Sequence, residues 1–143
     1  MAKLSKSILI EAPVEKVFAY VTDSNNMTEY WPGILDVSDI KNFPGGGGSF
    51  KFAYKLAGIR LEAMSEDIEF VRNQRTVSQV KGGLNGKTSF TYESTGQGTK
   101  LTLEEEYDIP IPVLGKMAEA MVLKMAEHER EMVLANIKTR TEG

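Results

Sequence analysis

From about Gly33 to Ile109 this chain alternates apolar and polar residues with no helical period, and from about Val113 to Thr141 it reads as one long amphipathic helix. A strand over Lys3 to Glu11 and a short helical stretch precede that block. One sheet that has to cover one long helix can satisfy both apolar faces in few ways. The arrangement expected here is a curved antiparallel sheet wrapped around the helix, with a cavity between them. The short inter-strand connections make neighbouring strands antiparallel.

The punctuation supports this order. Ala12-Pro13 ends the first strand, and Pro13 suits the first position of a helix, where its missing N–H costs nothing. Val14, Val17, Phe18 and Val21 then repeat at helical spacing. Asp23 or Ser24 caps a second short helix that ends at Trp31-Pro32-Gly33. Strands are expected at Ile34–Phe43, Phe50–Leu56, Arg60–Val71, Arg75–Lys81, Lys87–Ser94 and Thr99–Ile109. The run Gly45 to Gly48 reads as a flexible hairpin loop, and Arg60–Val71 is irregular enough to carry a bulge. Ile109-Pro110-Ile111-Pro112 is an extended connector.

Composition removes several function classes. The 143 residues make one domain, 1–143, and 41% hydrophobic residues suffice for a core. A net charge of −3 and the lack of a basic cluster give no reason to expect nucleic acid as a partner. There is no cysteine, so thiolate chemistry and disulfides are excluded. One histidine and scattered acids give no metal-ligand spacing, and no phosphate loop is present, so neither metal nor cofactor is expected. No stretch approaches the roughly 18 apolar residues of a membrane span, and Met1 to Lys6 lacks a signal-peptide apolar region. The protein is expected to be soluble and cytoplasmic.

Three features carry candidate chemistry. At 100° per residue, Leu114, Met117, Met121, Met125 and Met132 fall on one side of the long helix, with Lys116, Glu119, Glu127, Arg130 and Glu131 mostly opposite. The methionine face is expected to be core, or an adaptable cavity wall that re-packs around its guest. His128 lies toward one edge of that face and Glu129 toward the other; His128 is either an acid/base group or a solvated residue. Glu105 shares its parity with Leu101, Leu103 and Tyr107 and so faces inward, where a carboxylate has to be paired, protonated or wet. It is either a ligand anchor or the partner of a lysine or arginine.

Four stretches carry a family resemblance: Ile8 to Phe18, Asp23 to Pro32, Gly98 to Leu103, and Leu134 to Lys138. Together they resemble the START-like (SRPBCC) superfamily and, within it, the polyketide cyclase/dehydratase-like branch. The resemblance implies an α+β helix-grip fold of about seven strands, with two short helices after the first strand. It also implies binding of a hydrophobic or amphipathic small molecule, such as a lipid, isoprenoid or polyketide-like compound. The expected lining is Phe52, Tyr54, Phe90, Tyr92, Leu103, Met117, Met121 and Met125. Tyr54, Tyr92, Glu105, Tyr107 and His128 would anchor polar groups. A cyclase/dehydratase-type enzyme would use Glu105 with His128 or a tyrosine as its acid/base pair. A third reading is a protein-interaction module with a collapsed cavity. No oligomeric state follows from the sequence.

Overall fold

The computed structural model describes residues 2–108 and 119–143. The connector expected at 109–112, the first turns of the long helix, Leu114 and Met117 lie outside the described residues. The elements are β1 (Ala2–Ile10), α1 (Val14–Thr22), a 3-10 turn (Ser24–Asn26), α2 (Met27–Tyr30), β2 (Ile34–Asn42), β3 (Gly48–Leu56), β4 (Ile59–Val71), β5 (Arg75–Gly82), β6 (Asn85–Thr95), β7 (Gly98–Asp108) and α3 (Glu119–Glu142). The strands form one antiparallel sheet in the order β1-β7-β6-β5-β4-β3-β2. This curved sheet and the long C-terminal helix make a helix-grip fold.

Pro13 stands just before α1, in extended conformation, and Val17, Phe18 and Val21 are buried as their spacing demands. Asp23 accepts the Asn25 N–H at 3.0 Å and opens the 3-10 turn. The buried Tyr30 donates its hydroxyl to Val21 O at 3.0 Å, and Asn136 of α3 donates to Tyr30 O at 3.2 Å. These bonds fix the two short helices against the long one.

Two irregularities decide which residues face inward. The pairing of β2 with β3 shifts register twice, and Asp39 takes a positive φ of 51° there. The pairing of β4 with β5 shifts between Asp67 and Glu69. That bulge adds Ile68, half exposed, and inverts the alternation beyond it. Phe70 therefore turns inward to meet Phe18 edge-on, centroids 5.2 Å apart, and Glu69 turns out to pair with Arg75 at 2.9 Å. Gly46 sits over the Phe70 ring with φ of 115°; a Cβ there would come within 2.6 Å of the ring.

The long helix is rotated relative to the expectation from its methionines. Met121, Met125 and Met132 are 58%, 45% and 41% exposed, and His128 is exposed beside them. The inward face is Val122, Ala126, Arg130, Val133, Leu134, Ile137 and Thr141, all buried. From Met121 to Ala126 is about 140° around the helix. The cause lies at the C-terminal end. There Val133, Leu134 and Ile137 are essentially inaccessible against β1 and α1. Lys138 Nζ also reaches Leu9 O at 3.0 Å, and Glu142 accepts the Glu11 N–H at 2.8 Å. A rigid helix fixed there by branched residues carries its methionines to the outside.

This rotation predicts an asymmetry between the two faces. Ile137→Ala should lower unfolding free energy by about 2–5 kcal/mol, as deletion of fully buried aliphatic groups does. Met125→Ala should change it by no more than about 0.5 kcal/mol. Urea denaturation of the two variants would expose a wrong rotation if Met125→Ala were the costlier change.

Candidate functional site

A cavity of about 140 Å³ lies between the concave face of the sheet and the N-terminal half of α3. Val122, Ala126 and Arg130 line it from α3, and Met27, Tyr30 and Trp31 from α2 and its end. Phe50, Phe52, Tyr54, Leu56, Val80 and Phe90 supply most of its apolar floor. An apolar cavity of this size holds about one aromatic ring.

Arg130 forms the polar end. Its Nε donates to Glu105 Oε1, and its Nη2 reaches Glu105 Oε2 at 3.4 Å. Its Nη1 donates to Tyr54 Oη at 3.2 Å and to Glu129 Oε1. The guanidinium carbon also lies 5.0 Å from the Trp31 ring centroid, a cation–π distance. Glu129 Oε1 accepts from Trp31 Nε1 at 2.9 Å and from Tyr54 Oη. The planar fork of arginine suits this task, because four of its five donors serve two carboxylates and a phenol together.

Gly33 makes the close packing feasible. A Cβ there would overlap the Tyr54 ring and the Glu129 carboxylate. Glu105 and Arg130 are each less than a tenth exposed. Burial alone would lower the Arg130 pKa, but the Glu105 carboxylate, Tyr54 and Glu129 outweigh it and hold the guanidinium charged. Burial raises the Tyr54 hydroxyl well above the ordinary tyrosine value, against the opposing pull of Arg130.

The structure separates the residues singled out in the sequence. Phe52, Tyr54, Phe90, Glu105 and Tyr107 line the cavity. Leu103 and Tyr92 are buried in the core and do not contribute to the cavity wall. The Tyr92 ring packs on Phe18 and Phe90, and its hydroxyl has no hydrogen-bond partner among the described residues. Met121, Met125 and His128 are on the solvent face of α3, so their placement on the cavity wall is corrected by the rotation of the helix. Glu105 faces inward as its parity requires, and its partner is an arginine of the helix. Arg130, expected opposite the apolar face of the helix, is instead buried at the cavity, and neither it nor Glu129 nor Trp31 was expected to act there. The spacing Val122, Ala126, Arg130, Val133, Ile137 was the available signal, a helical stripe hidden by the charge at its centre. Among the described residues no group of three or more histidine or acidic side chains is arranged to hold a metal ion. No helix among them is long and apolar enough to cross a membrane.

Arg130 serves two carboxylates, whereas Glu105 is one of its two. Arg130→Met should therefore cost more stability than Glu105→Gln, about 3–5 kcal/mol for the loss of a buried partner. Chemical denaturation of both variants checks the order, and equal costs would contradict it. A second expectation concerns alkali. Burial raises the hydroxyl pKa of Tyr30, Tyr54 and Tyr92. The folded state thus keeps protons that the unfolded chain loses above about pH 10. Stability should be fully present below that pH and fall as pH rises beyond it. Melting temperature followed from neutral to alkaline pH, with tyrosinate absorbance, should show the buried tyrosines ionising only on unfolding.

Comparison with known proteins places this geometry. The sequence matches the family described as polyketide cyclase / dehydrase and lipid transport over residues 1–142. No curated protein matches it. Among solved structures, TTHA0849 from Thermus thermophilus is similar, with a TM-score of 0.85 and 18% identity over 98% of this chain and 97% of that one. The Zhui aromatase/cyclase from Streptomyces sp. R1128 gives 0.82 and 12%, over 99% and 93%. A START superfamily protein from Mycobacterium smegmatis gives 0.75 and 16%, over 97% and 99%. At these identities the likeness is one of fold. By sequence match the chain belongs to the polyketide cyclase / dehydrase and lipid transport family, and its fold is the helix-grip fold of START-like proteins.

Proposed function

We propose that this protein binds a hydrophobic or amphipathic small molecule, of polyketide, isoprenoid or lipid type, between the sheet and α3. The observation that carries the reading is the cavity: aromatic and aliphatic side chains form most of its wall, and hydrogen-bonding groups converge at the Arg130 end. An apolar body with a few placed polar groups is what a small-molecule site requires. The family description, which names both polyketide cyclisation and lipid transport, supports a guest of this class.

The geometry favours binding over acid–base chemistry by the pair considered from sequence. His128 is on the outside of α3. Both Glu105 oxygens are engaged, by Arg130 and by the Thr88 hydroxyl. A carboxylate held by a guanidinium is a weak general base. An open cavity of ring size also argues against the collapsed interaction module.

Ala126 lines the cavity with a single methyl group, so Ala126→Phe should fill it. Naphthalene titrated calorimetrically into the wild type should bind with a negative heat-capacity change, the mark of buried apolar surface. The variant should lose at least about tenfold in affinity, a change of about 1.4 kcal/mol. Circular dichroism would establish that it folds. Full affinity in a folded Ala126→Phe would place the guest elsewhere.

A further inference from the structure

A polar row crosses the apolar floor of the cavity. Asp67 of β4 stands opposite Ser78 of β5, Ser78 opposite Thr88 of β6, and Thr88 opposite Glu105 of β7. Residues directly opposite in antiparallel strands share a face, and all four line the cavity. The row on one side, Phe70, Thr76, Phe90 and Leu103, is mostly apolar.

The hydrogens in this row are already committed. Ser78 Oγ donates to Asp67 Oδ1 at 2.7 Å, and Thr88 Oγ1 donates to Glu105 Oε2 at 3.3 Å. Asp67 also accepts the Gly48 N–H at 2.9 Å, and Glu105 accepts from Arg130. A serine or threonine hydroxyl has one proton to give and two lone pairs. Both protons point outward along the row, toward the carboxylates. Ser78 and Thr88 stand opposite each other across the β5–β6 pairing, and neither oxygen accepts a hydrogen bond among the described residues, so each keeps its lone pairs for an incoming donor. Opposite side chains on such a pair have Cβ atoms about 4.5–5.5 Å apart, so one donor atom fits between the two oxygens.

We infer that Ser78 and Thr88 form a donor-selective subsite, which takes a neutral hydroxyl, phenolic or alcoholic, of the guest. A carbonyl or ether oxygen would meet lone pairs only. An anionic oxygen would also face Asp67, whose hydrogen-bond partners are Gly48 and Ser78 rather than a cation. This subsite rests on the binding reading given above and adds to it the functional group that the guest must present.

Calorimetry with naphthalene, 2-naphthol and 2-methoxynaphthalene at neutral pH tests it, in the wild type and in Ser78→Ala/Thr88→Val. The wild type should bind 2-naphthol several-fold, up to about tenfold, more tightly than naphthalene, the net worth of one hydrogen bond, and should disfavour the methyl ether. The double variant should lose the preference for 2-naphthol over naphthalene. Equal affinity of the wild type for naphthalene and 2-naphthol would overturn the subsite and leave the cavity standing. A preference that persisted in the folded double variant would overturn it too, by assigning the hydroxyl to the Arg130 end. Failure of all three probes to bind would instead remove the binding reading itself. If the double variant did not fold, the single variants Ser78→Ala and Thr88→Val would take its place: each should weaken the preference for 2-naphthol, and an undiminished preference in both would overturn the subsite.

Discussion

The buried guanidinium of Arg130 is the interaction on which the arrangement around the cavity depends. It joins α3 to β7 through Glu105, to β3 through Tyr54, and to the end of α2 through the Trp31 ring. Removing an arginine and a glutamate from water costs several kcal/mol each, and the cost is offset only by close pairing with every donor used. Glu129 adds a second carboxylate on the same side, itself satisfied by Trp31 and Tyr54. A charge cluster so placed fixes the rotation of α3 near its middle, as the branched residues do at its C-terminal end. It also keeps one end of the cavity polar.

Sheet register sets the rest of the floor. Because opposite residues in antiparallel strands share a face, one polar row can cross four strands without disturbing the apolar row beside it. The bulge after Asp67 is essential to this pattern. Were Ile68 paired in regular alternation instead of bulged, Glu69 would point into the cavity and Phe70 out of it. The bulge thus keeps the Glu69 carboxylate out of a space already lined by Asp67 and Glu105, and places an aromatic ring against α1 instead.

The family fold supplies a covered concave surface, and the side chains on it supply the selectivity. Here the apolar part favours a ring-sized guest in general. The Arg130 cluster and the Ser78–Thr88 pair differ in what they offer. The first presents donors already engaged by carboxylates, and the second presents acceptors with nothing to accept. A guest that lies across the floor therefore meets two chemically distinct surfaces.

Much of the architecture was legible in the sequence. The alternation of Phe50, Phe52 and Tyr54, the proline before α1, and the glycine-rich turns follow from local preferences that a chain carries with it. Glu105 could be placed inward because strand parity is also local. The orientation of α3 was not legible. Four methionines make the more conspicuous stripe, yet Val122, Ala126, Val133 and Ile137 make the buried one, with an arginine among them. An arginine at a core position becomes intelligible only when its partners are known, and they lie 25 and 76 residues away at Glu105 and Tyr54. Likewise Ser78 and Thr88 are ordinary strand residues until register sets them face to face with their protons directed away. The elements and their order are local properties, readable from periods of two and 3.6 residues along the chain. Which helix face lies inside and where the cavity is polar are properties of the folded molecule alone, because both depend on pairings between charges and hydroxyls far apart in the chain.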